Sequence, residues 1–364
     1  MEQIFSTDLV GVKQSVVDEI LLLSPAKTPM INLLGFGPAI AQTQHQWFED
    51  AIFADKTKLA GAVDAAAVEL TVEDVEPFRT NQVIKVEEER ILVLTVDTVG
   101  KKLAVQRGYA GTTAAAHAVG VVAEVMFSDT EEGMDARSSR YKKRVPKDNV
   151  TQIFSDSIRL SGTAQEIAQY GITDLYSYEK AKVQLGQALE LEKAVINGVK
   201  YVNGEKRYMR GVRDFIQTNV VEGAGATLTD DMINDLAQSV FDATGVEAAG
   251  GNYKLIVSPK QKRLISDFGK AEIRLTRQDN GRGQVVDHYT SDFGDFEIVM
   301  NPNLDPNEII LLDANRATIR PVANREFFHK FLGDKGDYVE GMITGEYTLE
   351  FLQEEAHARI RNLG

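Results

Sequence analysis

The chain has no cysteine among its 364 residues. That excludes disulfide scaffolds, cysteine-ligated zinc, iron–sulfur clusters and thiol nucleophiles, and it fits an intracellular site of folding. No run of about 18 apolar residues occurs, so no membrane span is expected. The stretch MEQIFSTDLVG lacks a basic region followed by an apolar core, and no secretory signal is expected there. Excess positive charge is missing too. The net charge of −14 disfavours a dedicated nucleic-acid binder, whose affinity comes from Lys and Arg on phosphates.

Catalytic signatures are equally scarce. Gly100-Lys101-Lys102 lacks the upstream glycine spacing and the Ser/Thr of a phosphate-binding loop. Asp267-Phe268-Gly269 and Asp292-Phe293-Gly294 spell a kinase triplet without the loops that accompany it. HExxH, GxSxG and calcium-loop patterns are absent, and Gly223-Ala224-Gly225 and Gly281-Arg282-Gly283 read as plain loops. The histidines at 45, 117, 288, 329 and 357 never fall at i+3 or i+4 from one another. RGYAGTTAAAH, residues 107–117, sets glycines and threonines near one histidine, but without a second ligand it reads as a loop. No cofactor, no metal and no enzymatic activity are expected.

What the chain does have is a rod. Residues 173–198, TDLYSYEKAKVQLGQALELEKAVING, are rich in helix formers and free of proline. Thr173 or Asp174 is the expected N-cap, and Asn197-Gly198 the stop, with glycine taking a left-handed conformation. At about 1.5 Å per residue the rod is about 37 Å long. Leu175, Tyr178, Ala181, Leu185, Ala188, Leu189, Val195 and Ile196 recur at helical spacing as one stripe. Gly186 beside it suggests a close neighbour. Glu192 falls within the stripe, where a carboxylate needs compensation, so an Arg or Lys of its own or an adjacent subunit is expected.

Ahead of the rod, residues 1–42 read as an arm, with a short helix at 10–23 and then three prolines and two glycines in SPAKTPMINLLGFGPAIAQ. A strand follows at 42–53, then a flexible linker, ADKTKLAGAVDAAA. Five short β candidates lie at 68–72, 83–86, 91–96, 103–106 and 119–125, broken by turns such as Thr80-Asn81, and suggest a small barrel or sandwich. Residues 131–147 are charged, and Arg140, Lys142, Lys143 and Arg144 read as a solvated or intersubunit basic face. Another strand is expected at 149–161. Beyond the rod, 200–212 reads as a basic loop. A mixed unit follows, with helices at 228–244 and 259–268 and strands at 253–257, 296–300 and 309–312. Closing strands are expected at 338–344, 346–352 and 356–360.

The order of parts, with NVTQIFSDSIRLSGTAQ at 149–165, YEKAKVQLGQALELEKAVING at 178–198, GDFEIVMN at 294–301 and GEYTLEFLQEEAHARIRNL at 345–363, resembles the major capsid proteins of tailed bacteriophages. The resemblance is to the Hong Kong 97-type fold, in the family that carries a β module inserted in its extended loop. Residues 68–125 match least. The fold class so implied is α+β. It has an N-terminal arm (1–42) and an extended loop (43–148) with the all-β insertion at 68–125. The peripheral domain (149–212) carries the spine helix 173–198. An axial domain (213–321) and peripheral return strands to the C-terminus (322–364) complete it. It further implies hexamers and pentamers of an icosahedral head around double-stranded DNA, with scaffold and portal proteins, decoration proteins and only non-specific DNA contact as partners, assembled in the host cytoplasm. An encapsulin-like compartment shell, a hydrolase with an accessory β domain and a tail or adhesin protein are the rival readings.

The apolar residues of arm and loop, Phe5, Ile31, Leu33, Leu34, Phe36, Trp47, Phe48 and Phe53, sit on segments with few means of burying themselves. Together with Arg140, Lys142, Lys143, Arg144 and Glu192 they are the expected contacts to neighbouring subunits.

Overall fold

The computed structural model describes residues 28–130, 132–133, 135, 137, 139–167, 174–244, 252–268, 288–291, 293–334 and 336–364. Phe5 and the helix expected at 10–23 lie outside them. The chain divides into two compact units, Phe48–Pro146 and the remainder.

Among the described residues the larger unit holds two large sheets. In one, Tyr338–Phe351 is a single strand of 14 residues, where the sequence suggests two strands broken at Gly345. The chain does not turn there. A Cβ at Gly345 would come within 2.6 Å of the Phe327 ring, so the glycine makes room for a neighbour. Gln152–Ser161 runs antiparallel along one edge of this strand, while Ala317–Pro321 and Phe328–Asp334 share the other. Part of the expected arm completes the sheet. Gly37 N–H donates to the Ile319 carbonyl at 2.9 Å and Ile40 N–H to that of Pro321 at 2.8 Å.

The other sheet has six strands, in the order Val220–Glu222, Ala358–Arg361, Ile309–Asp313, Tyr253–Val257, Gly294–Met300 and His288–Ser291. Its central strands are buried on both faces, which is why IILLD reads as an unbroken apolar run. Their period of two divides the side chains between two cores. Leu255, Val257, Ile309 and Leu311 join Ile233, Leu236, Val240 and Ile265 of the helices Asp230–Thr244 and Pro259–Phe268. Ile256, Ile310 and Leu312 join Met30, Leu191, Val195, Ile196 and Phe351.

The rod is the helix Leu175–Asn197, and Asp174 is its cap, accepting from Tyr176 N at 3.0 Å and Ser177 N at 3.2 Å. Its burial is lopsided. Gln187, Leu191, Glu192, Val195 and Ile196 are buried, whereas Leu175, Tyr178, Ala181, Leu185, Ala188 and Leu189 of the expected stripe are partly covered or exposed. Gly186 is exposed and nothing lies within 4 Å of where its Cβ would be. Gly198 ends the helix with φ −57, not in the left-handed region. A Cβ there would collide with the Met209 and Ala194 carbonyls, so glycine lets the two backbones meet, with Gly211 N donating to Gly198 O at 2.9 Å.

The smaller unit is a six-stranded antiparallel sheet, ordered Lys56–Lys58, Val122–Ser128, Gln82–Val86, Glu89–Asp97, Lys102–Gln106, Glu69–Thr71. Its two edges meet at the Leu59–Val72 bridge, with Ala60 N donating to Thr71 O and Glu73 N to Lys58 O, both at 2.9 Å. The sheet is therefore a closed barrel, which leaves no free edge. Residues 54–67, expected as a flexible linker, instead provide the closing strand and two core side chains, Leu59 and Val63. Closure requires a partner for the last edge, and a short strand with one large apolar residue at its end is enough for that.

Candidate functional site

Among the described residues no group of three or more His, Asp or Glu side chains is placed to hold a metal ion, and no helix is long and apolar enough to cross a membrane. The loop 107–117 has a different organising centre, the buried carboxylate of Glu89. It accepts from Arg107 Nε at 2.8 Å and Nη2 at 2.7 Å, from the amides of Gly108 at 3.0 Å and Ala115 at 3.1 Å, and it meets His117 Nε2 at 2.9 Å. Burial raises its pKa, but the Arg107 guanidinium, the two amides and His117 outweigh burial and hold it down at about 2. The glycine- and threonine-rich segment thus wraps an internal anion of its own chain.

Glu192 departs from expectation. It is fully buried inside the chain, so it is not a contact to a neighbour, and no Arg or Lys reaches it among the described residues. Its partners are the Met30 and Ile31 amides at 2.9 Å each, in the first turn of the short helix Pro29–Leu34, and Asn301 Nδ2 at 2.7 Å. Burial pushes its pKa up, against these three hydrogen bonds. A carboxylate with only neutral donors around it ties the arm, the rod and the strand end at Asn301 together.

The remaining expected contacts separate into two groups. Ile31, Leu34 and Trp47 are buried in the core with Leu191 and Phe351, and Leu33 packs half-buried against it. These four are already covered by their own chain, because the segment 29–47 is long enough to lie back across both sheets. Phe36 and Phe48 are exposed, Phe48 by 68%. In the smaller unit Phe53 is partly covered by Arg140, whose guanidinium carbon stands 3.8 Å from the ring centroid. Lys142 reaches Glu76 at 3.0 Å and Arg144 reaches Asp50 at 3.4 Å, leaving Lys143 exposed. Most of the basic run therefore folds back on its own unit.

Other exposed apolar positions escaped the sequence reading: Ile52 at 93%, Tyr141 at 81%, and the pair Tyr201 and Tyr208. The tyrosines stand on a hairpin, Tyr201–Asn203 with Lys206–Tyr208, inside the stretch expected as a loop. The signal was present as Asn203-Gly204, and Gly204 takes φ +57 at the turn. Among the described residues no site for catalysis stands out. What the geometry offers is surface, in the form of large apolar side chains on strands and loops that their own chain does not cover.

No curated protein matches this sequence. The family description "SU10 major capsid protein" matches residues 3–364. Among solved structures, the capsid of cyanophage A-1(L) is similar at 10% identity and a TM-score of 0.55, with 98% of each chain covered. The capsid of a native GTA particle is similar at 9% identity and a TM-score of 0.54, over 99% of this chain and 98% of the other. Microbacterium phage Oxtober96 gives 11% identity and a TM-score of 0.52, over 97% and 96%. The fold is that of the Hong Kong 97-type capsid proteins, and the chain belongs to the SU10 major capsid protein family, in which its role is structural.

Proposed function

We propose that copies of this chain form the hexamers and pentamers of an icosahedral phage head around double-stranded DNA. A scaffold protein and a portal would take part in assembly in the host cytoplasm, with decoration proteins added outside. The observation that carries this reading is the uncovered apolar surface at Phe36, Phe48, Ile52, Tyr141, Tyr201 and Tyr208, on a chain of a major capsid protein family. Neighbouring copies in a shell would cover these side chains. The net charge of −14 would keep contact with the packaged DNA weak and non-specific.

In this reading 43–148 is the extended loop, carrying the β insertion at 68–125 together with the closing strand Lys56–Lys58. Residues 149–212 and 322–364 are the peripheral domain. Residues 213–321 are the axial domain, to which the strand Ala358–Arg361 also belongs. Phe5 and the rest of the arm ahead of Pro29 would reach a neighbouring subunit.

The test is expression of the full chain with its scaffold, followed by sedimentation and electron microscopy. Closed particles tens of nanometres across are expected. Deleting 1–42 would remove Met30, Ile31 and Leu34 from the core, so the informative truncation is 1–27. It should leave folded subunits that cannot complete a shell. A full chain that stays monomeric at high concentration with scaffold present would overturn the reading, and particles filled with protein cargo in place of DNA would turn it towards a compartment shell.

A further inference from the structure

Beside the end of the rod lies a cleft of about 260 Å³, lined by Asn197, Val199, Arg213, Asp214, Gln217 and Arg359. Two of its charges are settled within the chain. Arg213 donates to Glu308 and, at 2.6 Å, to Asn197 Oδ1, while Asp214 accepts from Arg210 Nε at 2.6 Å. Arg359 is not settled. Its Nε is buried without a hydrogen-bond partner among the described residues. Glu308 and Asp214 act on it only through space, and Arg213 and Arg361 oppose them. Burial accordingly holds its pKa below the ordinary arginine value. Buried donors left without partners are uncommon in finished structures.

The rim of the cleft points to the kind of partner. Val199 is exposed, and two residues further on the hairpin presents Tyr201, Val202 and Tyr208 to solvent, with the two tyrosine rings stacked at 5.5 Å. Arginines in the cleft, with exposed apolar side chains on the chain that leads away from it at Val199, suit a protein partner better than a small ion. The group wanted is an anion. The chain carries 54 Asp and Glu against 40 Lys and Arg, so a second copy offers carboxylates in excess.

We propose that this cleft receives a carboxylate side chain from a second copy of the same chain, with Arg359 as the group that binds it. The proposal rests on the reading of the protein as a self-assembling shell subunit. In a lone subunit the Arg359 Nε is buried without a hydrogen bond and Glu308 and Asp214 act on the cation only through space, and in the shell its guanidinium becomes one half of an intersubunit ion pair.

Arg359→Met keeps the stem that packs on the sheet and removes the charge. Isolated Arg359→Met subunits should melt at the wild-type temperature or above it, because the lone subunit loses an unpaired charge. Their assembly should suffer, with the concentration at which particles appear by light scattering rising at least tenfold. Arg359→Lys should fall between the two, having the charge without the forked donors. Three results would overturn the proposal. The variant could assemble at the wild-type concentration. The isolated variant could melt well below wild type, which would make Arg359 an internal partner of Glu308. Inorganic phosphate could raise the melting temperature of wild-type subunits but not of Arg359→Met subunits, which would make the cleft a site for free anions. If the wild type itself never assembles, the shell reading falls and this inference with it. If the wild type assembles and the variant does so equally, this inference alone falls.

Discussion

Glu89 in the smaller compact unit and Glu192 in the larger are both deeply buried, and the two carboxylates are treated in opposite ways. Glu89 in the barrel has a forked arginine, two backbone amides and a histidine around it, and its pKa sits at about 2. Glu192 in the larger unit has three hydrogen bonds from neutral donors and no cation, and its pKa is raised. Burial disfavours the charged form in both. The Arg107 guanidinium reverses the sign in one, and the hydrogen bonds to Glu192 do not. The barrel is thereby built around an ion pair, and the larger unit around a carboxylate held by neutral donors, with its pKa raised by burial.

The largest expected effect separates the units altogether. Residues 48–146 expressed alone should show β-type circular dichroism and a cooperative melt, whereas 68–125 alone should not fold. The shorter piece lacks Leu59, Val63 and the strand that closes the barrel. A shorter fragment with the same melt would show that closure is dispensable.

Next comes Arg107→Met. It strands the buried Glu89 charge, and breaking such a pair typically removes about 3–5 kcal/mol. Denaturant unfolding of 48–146 would measure it, and a change below about 1 kcal/mol would mean that the amides alone suffice.

Glu192→Leu should destabilise the larger unit by roughly 3 kcal/mol, since the Met30 and Ile31 amides and the Asn301 side chain lose their acceptor in a dry site. An apolar swap that proved neutral in chemical denaturation would show that solvent reaches these donors.

Acid sharpens the comparison further. The Glu89 pKa is depressed, so its stabilisation is present above the ordinary value near 4.5 and is lost as pH falls towards 2. The Glu192 pKa is raised, so its contribution is fullest below the ordinary value and is lost as pH rises through the folded-state value. Fragment 48–146 should lose stability on acidification from pH 5 to about 2. The full chain should gain stability relative to its Glu192→Gln variant as pH falls towards 4.5. His357 serves as a control in the larger unit. Burial lowers its pKa to about 3, and it removes stability as pH falls from its ordinary 6.5 in wild type and variant alike.

The smallest effect is Gly186→Ala. The site is exposed and open, so alanine should stabilise the rod by about 0.5–1 kcal/mol in a thermal melt of the subunit. A loss instead would mean that an unseen neighbour crosses there.

Much of this was written locally. Asp174 caps the rod because a short carboxylate beside helical amides does so in any context, and the barrel strands show their period of two in sequence. The unbroken apolar run in IILLD signals burial on both faces without reference to the rest of the chain. The Asn203-Gly204 turn was also legible and was passed over, because the basic residues around it favoured a loop.

What only the tertiary structure decided are the encounters between distant segments. Glu192 meets Met30 across 162 residues of chain, and backbone amides carry no mark in the sequence that distinguishes them from any others. The same holds for Gly198 and Gly345, whose missing side chains admit a neighbour and do not turn the chain. It holds for the Leu59–Val72 bridge that closes the barrel. The sequence by itself determined the rod, the helices near 228–244 and 259–268 and the core strands at 253–257, 296–300 and 309–312, since helix and strand periodicities are properties of neighbouring residues. Which buried charge found a cation, and which arginine nitrogen was left without a hydrogen bond, depended on where the folded chain brought those elements together.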